Sequence, residues 1–419
     1  MGETRAIDLK ETLQEWLPPI AFETPLQFDT SLQSEPGITA FQPPGKRIAS
    51  YDLDSRTYEI WEGHLTDLAV QQVLKRLQIF IPFFIEGGTY LNLDDPEWSL
   101  QRWRIYFLYD HTPSVASSSQ LSSYSIIGYC TSYRYYLFPS SHVKPIPGQP
   151  LRPTPHTKLS IPPPSLDIAS LPSRIRISQF LILPPYQSLG HGSRFYTSLY
   201  DLFFNSQDIQ EITIEDPNES FDDLRDYCDL ARLRQSREFT ALHIDTSVPI
   251  PPQAHRLPTA RLLPLDRIDS LRHAYKIAPR QFARLVEMQL LSQIPRDHRQ
   301  AGREHHERDE AIDADRAYER WRLLVKQRLA RFNREQLSQL DRTERVGKLE
   351  EALSGVESDY ERLLRGADGI AKKAQAGQGE DQSSLVKTAE LEIRGVESKR
   401  KTEAGHDTEP PTKKAKHDD

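Results

Sequence analysis

The chain has 419 residues, two cysteines, a formal net charge of -7 and a mean hydropathy of -0.61. No apolar run approaches the roughly 18 residues that a membrane-spanning helix needs, and the N-terminus lacks the pattern of a secretory signal. Two cysteines exclude a disulfide framework and a four-cysteine zinc site, which indicates a reducing compartment. The negative charge argues against general binding of phosphate backbones but would steer a basic peptide toward the chain.

The first 62 residues predict a small N-terminal domain. Residues 8–17 have helical spacing, and residues 58–61 are typical of a short strand. A core is expected to follow over residues 63–255. Its first element is a helix over residues 67–80, because the apolar side chains there fall on one helical face and Pro82 stands beside its end.

The middle of the chain alternates between strand and helix patterns. Residues 139–172 interrupt this alternation with ten prolines, which block helices and central strands because proline lacks a backbone donor, so they predict a loop insertion. Serines at 117–123 are typical of a hairpin loop. The predicted elements are strands at 104–110, 125–138, 175–183 and 209–215, and helices at 192–205 and 220–233. This order predicts an α/β core centred on residues 100–235.

The last third of the chain is predicted to be a helical region over residues 256–365. Residues 277–294 have helical spacing, and apolar residues between 346 and 363 recur alternately at three and four positions, as in a helix-packing seam. The pair His305 and His306 stands among acidic residues and indicates a solvated helical face. From residue 366 apolar residues become scarce, which predicts a disordered charged tail over 366–419.

A glycine-containing loop lies between the strand at 175–183 and the helix that follows. It has the form Gln187-x-x-Gly190-x-Gly192. Glycines let the backbone turn sharply, and amides at a helix N-terminus can face a pyrophosphate. On spacing alone, an ordinary strand-to-helix turn is the favoured interpretation, and the three-glycine spacing of a dinucleotide-binding fingerprint is not met.

This loop resembles the acetyl-coenzyme A signature of the GNAT acyltransferase superfamily, and residues 178–192 are similar to the catalytic subunits of type B histone acetyltransferases. Three further strings agree in the family's order: Phe-Phe-Ile-Glu-Gly-Gly at 83–88, Ile-Glu-Asp-Pro-Asn at 214–218 with its continuation to 226, and Lys-Ile-Ala-Pro-Arg-Gln at 276–281. The resemblance covers about residues 65–295. It implies an α+β fold with a GNAT-type central mixed β-sheet flanked by helices, a small N-terminal domain and a C-terminal helical region.

The resemblance also implies a cofactor and the residues that bind it. Acetyl-coenzyme A is the expected co-substrate, and no metal is expected. The pantetheine arm would pair with the strand at Phe180, Leu181 and Ile182. The pyrophosphate would be wrapped by Gln187, Ser188, Leu189, Gly190, His191, Gly192 and Ser193. Asn218 and Tyr227 would be further contacts with the cofactor.

A lysine ammonium is not nucleophilic, so the transfer needs a carboxylate that removes its proton. The resemblance implies that Glu215 is this general base, with Glu86 and Asp216 as secondary acids that hold the lysine or relay its proton. We expect burial beside Asp216 to favour the protonated form of Glu215. From the local sequence only, Glu-Asp-Pro is more typical of a strand-end turn with Asp216 as a helix cap.

Two other candidates concern the transfer step and the substrate. Cys228 is the thiol nearest to Glu215 in the sequence, and we expect a small buried residue in a helix rather than an acyl carrier, which favours direct attack in a ternary complex. The strand before the proline insertion is rich in tyrosine: it contains Tyr129, Tyr133, Arg134, Tyr135 and Tyr136. The resemblance makes Tyr133, Arg134 and Tyr135 part of the wall that contacts the histone tail.

The sequence departs from the family's pattern near its N-terminus. In the family, an acidic stretch with a Phe-Gly element helps to bind the substrate. We find no counterpart in residues 30–57, so no residues are assigned to this contact. Near the other end, basic clusters at 399–401 and 413–416 are separated by eleven residues and resemble a bipartite nuclear import signal, with a random basic tail as an equal alternative.

The favoured function is transfer of acetyl from acetyl-coenzyme A to an N-terminal tail lysine of a newly made histone, chiefly the core histone of type four. The resemblance implies a WD-repeat histone chaperone as partner, with the proline insertion near its docking site, and residence in the cytoplasm and nucleus. Neither membrane association nor direct nucleic-acid binding is expected. The alternatives are an N-acetyltransferase acting on another amine and a chromatin-associated scaffold with weak catalysis.

Overall fold

The structure of the chain, a computed structural model, describes residues 7–34, 40–111, 122–137, 168, 171–251, 257–299 and 309–376. Several features of the sequence lie outside these residues: the tip of the serine-rich loop, most of the proline-rich insertion, His305 and His306, and both basic clusters of the tail. Within the described part of the chain, no helix is long and apolar enough to cross a membrane.

A six-stranded mixed sheet forms the centre of the fold. Its strands are β1 (Lys46–Leu53), β2 (Arg56–His64), β3 (Trp103–His111), β4 (Tyr124–Tyr136), β5 (Ser173–Ile182) and β6 (Ile209–Ile214). They lie in sequence order, and every neighbouring pair is antiparallel except β5 and β6, which are parallel. The predicted α+β fold with a curled mixed sheet flanked by helices is therefore confirmed.

The N-terminal hairpin β1–β2 belongs to this sheet. The domain boundary predicted at residue 62 falls inside β2, which pairs with β3 from Tyr58 to His64. The hairpin turns at Asp54 and Ser55, which both have positive φ (50° and 63°), as a two-residue type I′ turn requires. Asp-Ser is a less common pair there than Asn-Gly, so the turn signal is weak and β1 was not predicted.

Helices precede, separate and follow the strands along the chain, and the C-terminal part of the described chain is helical. They are α1 (Leu9–Leu13), α2 (Pro25–Ser34), α3 (Leu68–Leu77), α4 (Ile81–Phe84), α5 (Glu97–Leu100), α6 (His191–Asn205), α7 (Glu219–Leu233), α8 (Arg237–Thr240), α9 (Thr259–Leu262), α10 (Leu265–Ala274), α11 (Pro279–Gln293), α12 (Asp309–Phe332), α13 (Arg334–Ser338) and α14 (Arg342–Ala376). Helix α14 continues past residue 366, where the sequence predicted a disordered tail. Alanine and lysine, which are frequent in residues 367–376, are good helix formers, and buried Leu363 and Leu364 anchor the preceding turn.

The chain divides into two compact units. The first comprises Met1–Leu183, Thr197–Glu219 and Asp269–Phe282, and the second comprises Pro184–Tyr196, Ser220–Ile268 and Ala283–Asp419. In the first, Val70 and Leu74 of α3 pack with Ile105 and Phe107 of β3 in one apolar cluster.

The core of the second unit combines aromatic burial with hydrogen bonds. The indole of Trp321 is fully buried and donates its Nε1–H to the carbonyl of Glu287 at 2.9 Å. The Glu287 carboxylate pairs with Arg328 at 2.7 Å and accepts the Tyr360 hydroxyl at 2.9 Å. Because Glu287 and Arg328 pair with each other, neither charge is isolated where these residues of α11, α12 and α14 meet.

The ladder between β5 and β6 ends next to Glu215, the predicted catalytic residue. Their ladder runs as far as Ile177 and Ile214, and the amide of Glu215 then donates to the carbonyl of Ile177 at 2.8 Å. Strand β5 continues to Ile182, paired with β4 at Gly128. Glu215 therefore lies at the end of the β5–β6 ladder, beyond which β5 continues without β6.

Candidate functional site

Glu215 lies directly after β6, with its carboxylate held by two residues of β5. The Ser178 hydroxyl donates to Oε2 at 2.5 Å, and Arg176 Nη1 lies 3.8 Å from Oε1. Both partners point from the same face of β5, because they stand two residues apart in the strand. These contacts orient the carboxylate while leaving it accessible to a substrate.

The expectation that Glu215 is buried is wrong. Its side chain is 43% exposed, and Asp216 beside it is also exposed. Asp216 has φ 34°, a left-handed conformation that Asp tolerates better than most residues, and Pro217 follows it. The chain therefore turns away from the sheet immediately after Glu215, so that apolar neighbours do not enclose the carboxylate.

An aromatic row extends from Glu215 across the same face of the sheet. Arg176 lies 5.0 Å from the ring of Tyr135, whose ring centroid is 4.7 Å from that of Tyr133. The Tyr133 ring is in turn 4.9 Å from the ring of Trp103 on β3. The row thus crosses β5, β4 and β3, and Tyr135 is 39% exposed.

Arg134 does not join this row. Successive residues of a strand face opposite sides of the sheet, and the guanidinium of Arg134 pairs with the carboxylate of Asp208. Asp208 directly precedes β6, so this ion pair joins β4 to the beginning of β6. The structure therefore places Tyr133 and Tyr135 together beside Arg176 and Glu215, and it places Arg134 elsewhere.

The turn that carries Glu86 is tied to β5 by a buried side chain. Gln179, which is 3% exposed, donates from Nε2 to the carbonyl of Thr89 at 2.9 Å. Glu86 precedes Thr89 in an exposed turn that includes Gly87 at φ 67°. This bond holds the residues after Glu86 against the strand that also orients Glu215.

The predicted pyrophosphate loop, residues 187–193, follows closely after β5. A single turn of 3₁₀ helix at Pro184–Tyr186 leads into Gln187, and Ser188 and Gly190 have φ 61° and 83°. Helix α6 then begins at His191, as predicted to within one residue. A sharp turn into a helix N-terminus suits a phosphate group, because the first amides of a helix have no partner within the helix.

The other predicted cofactor residues differ in their surroundings. On β5, Leu181 and Ile182 are buried and Phe180 is half-buried. His191 is buried beside the ring of Tyr186, so only its backbone is suited to an anion. Asn218 is exposed just before α7.

Tyr227 stands on α7 and packs against α14. A Cβ built on Gly366 would come within 2.4 Å of its hydroxyl oxygen, which places the Tyr227 ring inside the second unit. The hydroxyl of Tyr227 is therefore close to the backbone of α14.

The thiols and possible metal ligands bear on which chemistry the chain can perform. Cys130 is buried, and burial raises the pKa of its thiol well above the ordinary value, which disfavours the thiolate needed for attack. Cys228 lies within α7, in a helix as predicted, but it is half-buried and not buried as expected. In the ranges that the structure describes, no group of His, Cys, Asp and Glu has the geometry of a metal site.

Sequence reasoning missed the residues that orient Glu215. Arg174, Arg176 and Ser178 alternate in β5 with the buried residues Ile175 and Ile177. This polar alternation marks one half-exposed face of a strand that otherwise reads as apolar, and it was the available signal. Trp103 was missed for another reason, since only the pairing of β3 with β4 brings it opposite Tyr133.

Two protein-family models match parts of the chain. "Histone acetyl transferase HAT1 N-terminus" matches residues 1–86, which include the region where no substrate-gripping element was found, and "Fungal HAT1, C-terminal" matches residues 226–294.

Whole-chain relatives carry one common name, "Histone acetyltransferase type B catalytic subunit". The protein of that name from Aspergillus oryzae is 37% identical, over 96% of this chain and 80% of the relative. The one from Neurospora crassa is 38% identical, over 97% and 84%. The one from Candida albicans is 31% identical, over 85% and 72%.

Proposed function

The chain belongs to the family of histone acetyltransferase type B catalytic subunits, and from this premise we propose that it transfers acetyl from acetyl-coenzyme A to a histone tail lysine. The acceptor is a lysine near the N-terminus of a newly made histone, chiefly the core histone of type four. The observation that carries the proposal is the Glu215 carboxylate at the end of β6, oriented by Ser178 and Arg176 where β5 and β6 separate.

Bound acetyl-coenzyme A supplies the acetyl thioester. The residues present suit this group: β5 continues beyond its ladder with β6, and the chain then turns through Ser188 and Gly190 into the N-terminus of α6. We assign the pantetheine arm to residues 180–182 and the pyrophosphate to residues 187–193, with Asn218 as a further contact. Tyr227 is less suited, because its ring packs against Gly366.

Glu215 acts as the general base in direct attack within a ternary complex. Its carboxylate removes a proton from the lysine ammonium, which gives the free amine needed for attack. Arg176 and Ser178 keep the two carboxylate oxygens in place, and the exposed Glu86 and Asp216 attract the ammonium. A covalent acyl-enzyme is less favoured, because burial disfavours the thiolate of Cys130, and Cys228 is a half-buried residue within helix α7.

The aromatic row is the surface proposed for the histone tail. Tyr133, Tyr135 and Trp103 present ring faces and edges next to Arg176, and rings of this kind contact extended peptides and lysine stems well. The chain's net charge of -7 supports attraction of a basic tail. We further propose a WD-repeat histone chaperone as partner and residence in both cytoplasm and nucleus, on the family resemblance and the two basic clusters of the sequence.

The test is to replace Glu215 with Gln, which keeps the shape and removes the base. We expect kcat to fall by about 100-fold to 10,000-fold, with the Kd for acetyl-coenzyme A within about twofold. The deficit should shrink as the pH rises toward the pKa of a free lysine, because less of the amine then needs a base. Acetyl transfer to a tail peptide gives kcat, and calorimetry gives Kd.

Glu219→Gln is the matched control, because Glu219 is an exposed carboxylate of the same segment and should leave kcat unchanged. Equal kcat in wild type and Glu215→Gln would reject Glu215 as the base. Loss of cofactor binding in Glu215→Gln would instead show that the substitution disturbs the site and not the proton transfer.

A further inference from the structure

Lys276 occupies an unusual position between α10 and α11. Its amide donates to the carbonyl of His273 at 3.1 Å, and the amide of Ile277 donates to the carbonyl of Arg272 at 3.2 Å. This pair of bonds ends a helix through one left-handed residue, which is usually glycine. Here that residue is Lys276, with φ 53°. A side chain at this φ is strained, so glycine would end α10 with less strain.

The side chain of Lys276 caps a different helix. Its Nζ donates to the carbonyls of Phe204 and Ser206, each at 2.7 Å, and lies 5.6 Å from the ring centroid of Phe204. Helix α6 ends at Asn205, and the last carbonyls of a helix have no partner within the helix. A cation there is favoured by the helix dipole as well as by these bonds.

The backbone of Lys276 contacts β6 at the same time. Its carbonyl accepts the amide of Ile212 at 2.7 Å, and Ile277 forms a parallel bridge with Ile212. Strand β6 is the last strand of the sheet, so this contact lies on the side opposite β5. Glu215 follows Ile212 by three residues.

Neighbouring contacts fasten the same segment. Arg272 Nη1 lies 3.3 Å from the Glu211 carboxylate of β6, and the Tyr200 hydroxyl of α6 donates to the carbonyl of Tyr275 at 2.5 Å. Residues 272–277 therefore tie the C-terminal half of α6 to the outer edge of β6, and Lys276 contacts both through different groups.

We propose that Lys276 is a positioning residue, whose ammonium fixes the end of α6 and thereby holds the β6 edge that carries Glu215 into line with the substrate lysine. This rests on the proposed role of Glu215. The strained backbone supports it, because glycine would end α10 at least as well and would leave the end of α6 without its cation.

The first test compares Lys276→Met, Lys276→Gly and Lys276→Arg with wild type. We expect kcat to fall between about 10-fold and 100-fold in the Met and Gly variants, because a base displaced by a fraction of an ångström loses rate steeply. The KM for the tail peptide should stay within about twofold, and Lys276→Arg should recover most of kcat. Lys75→Met is the control, since Lys75 is an exposed lysine of α3.

The second test combines Lys276→Met with Glu215→Gln. If Lys276 acts through Glu215, the double variant should be no slower than Glu215→Gln alone, because the base that is misplaced has already been removed. Losses that multiply would overturn the proposal, as would full activity in Lys276→Gly. Failure of both the Met and the Gly variants to fold would assign Lys276 to the fold alone and overturn it too.

The two proposals fail differently. If Glu215→Gln keeps its activity, the proposed function of Glu215 fails whatever the Lys276 variants do. If Glu215→Gln is slow and the Lys276 losses multiply with it, only the inference about Lys276 fails.

Discussion

Asp229 of α7 is a carboxyl group that the second unit buries almost completely. The Tyr196 hydroxyl donates to it at 3.0 Å, and Arg232 Nη1 lies 3.1 Å away. Burial raises the pKa of Asp229 from 3.8 to about 6, although the nearby guanidinium groups of Arg232 and Arg225 and the tyrosine hydrogen bond oppose the rise. Desolvation of the charged form therefore outweighs its favourable partners.

This shift predicts a pH-dependent cost of Asp229. Between about pH 4 and pH 6 the folded chain keeps the proton that the unfolded chain releases, so the contribution of Asp229 to the free energy of unfolding falls as the pH rises through that window. Relative to Asp229→Asn, wild type should lose up to roughly 3 kcal/mol. Urea unfolding of both proteins at pH 4 and pH 7 measures the difference.

Asp359→Asn serves as the control for this comparison, because Asp359 is an exposed acid of α14 in the same unit. A difference between wild type and Asp229→Asn that is the same at both pH values would contradict the expectation, and would mean that folding does not shift the pKa of Asp229.

At the scale of single elements, three of the four glycines of α14 meet different surroundings. A Cβ built on Gly347 or Gly355 has no heavy atom within 4 Å, whereas one built on Gly366 would lie 2.4 Å from the hydroxyl oxygen of Tyr227. Alanine favours a helix by up to about 1 kcal/mol over glycine. The same substitution should therefore have opposite effects along one helix.

We expect Gly347→Ala and Gly355→Ala each to raise the free energy of unfolding by roughly 0.5 to 1 kcal/mol. Gly366→Ala should lower it by about 1 to 3 kcal/mol, because the half-buried ring of Tyr227 must move. Urea unfolding at one pH ranks the three variants. A stabilised Gly366→Ala would show that α14 does not pack against Tyr227 as described.

Elements with a strong local pattern were predictable from the sequence. Helices α6 and α7 and strands β3 to β6 have clear periodicity, glycine or proline at their ends, and bounds within about two residues of those predicted. The hairpin β1–β2 was only partly found, because its Asp54-Ser55 turn lacks glycine and several of its strand residues are charged or exposed. The continuation of α14 past residue 366 was not predicted, because apolar residues become scarce there and Gly366 weakens the helical pattern.

The candidate site could be predicted in part. The Glu215 position followed from the family resemblance, but its exposure did not, since burial depends on how the chain turns at Asp216. The orienting residues Arg176 and Ser178 required the register of β5 with β6. Lys276 is the furthest from prediction, because nothing in the sequence marks a lysine as left-handed or sets it at the end of α6.

At the scale of the whole molecule, the similarity to the family covers most of the chain and includes residues 1–86. The comparisons show that the chain belongs to the family of histone acetyltransferase type B catalytic subunits. The sheet brings Glu215, Arg176, Tyr135 and Tyr133 from three strands to one face, although they are spread over some 80 residues of sequence. This convergence depends on strand pairing, which local sequence patterns do not show.

The most direct test is to incubate the full chain with acetyl-coenzyme A and an N-terminal tail peptide of the type-four core histone whose α-amine is blocked, and to locate any added acetyl group by mass spectrometry. We predict acetylation of a lysine ε-amine, and none when every lysine of the peptide is replaced by arginine. Transfer only to an unblocked α-amine, or binding of coenzyme A without transfer to either peptide, would contradict the proposed function.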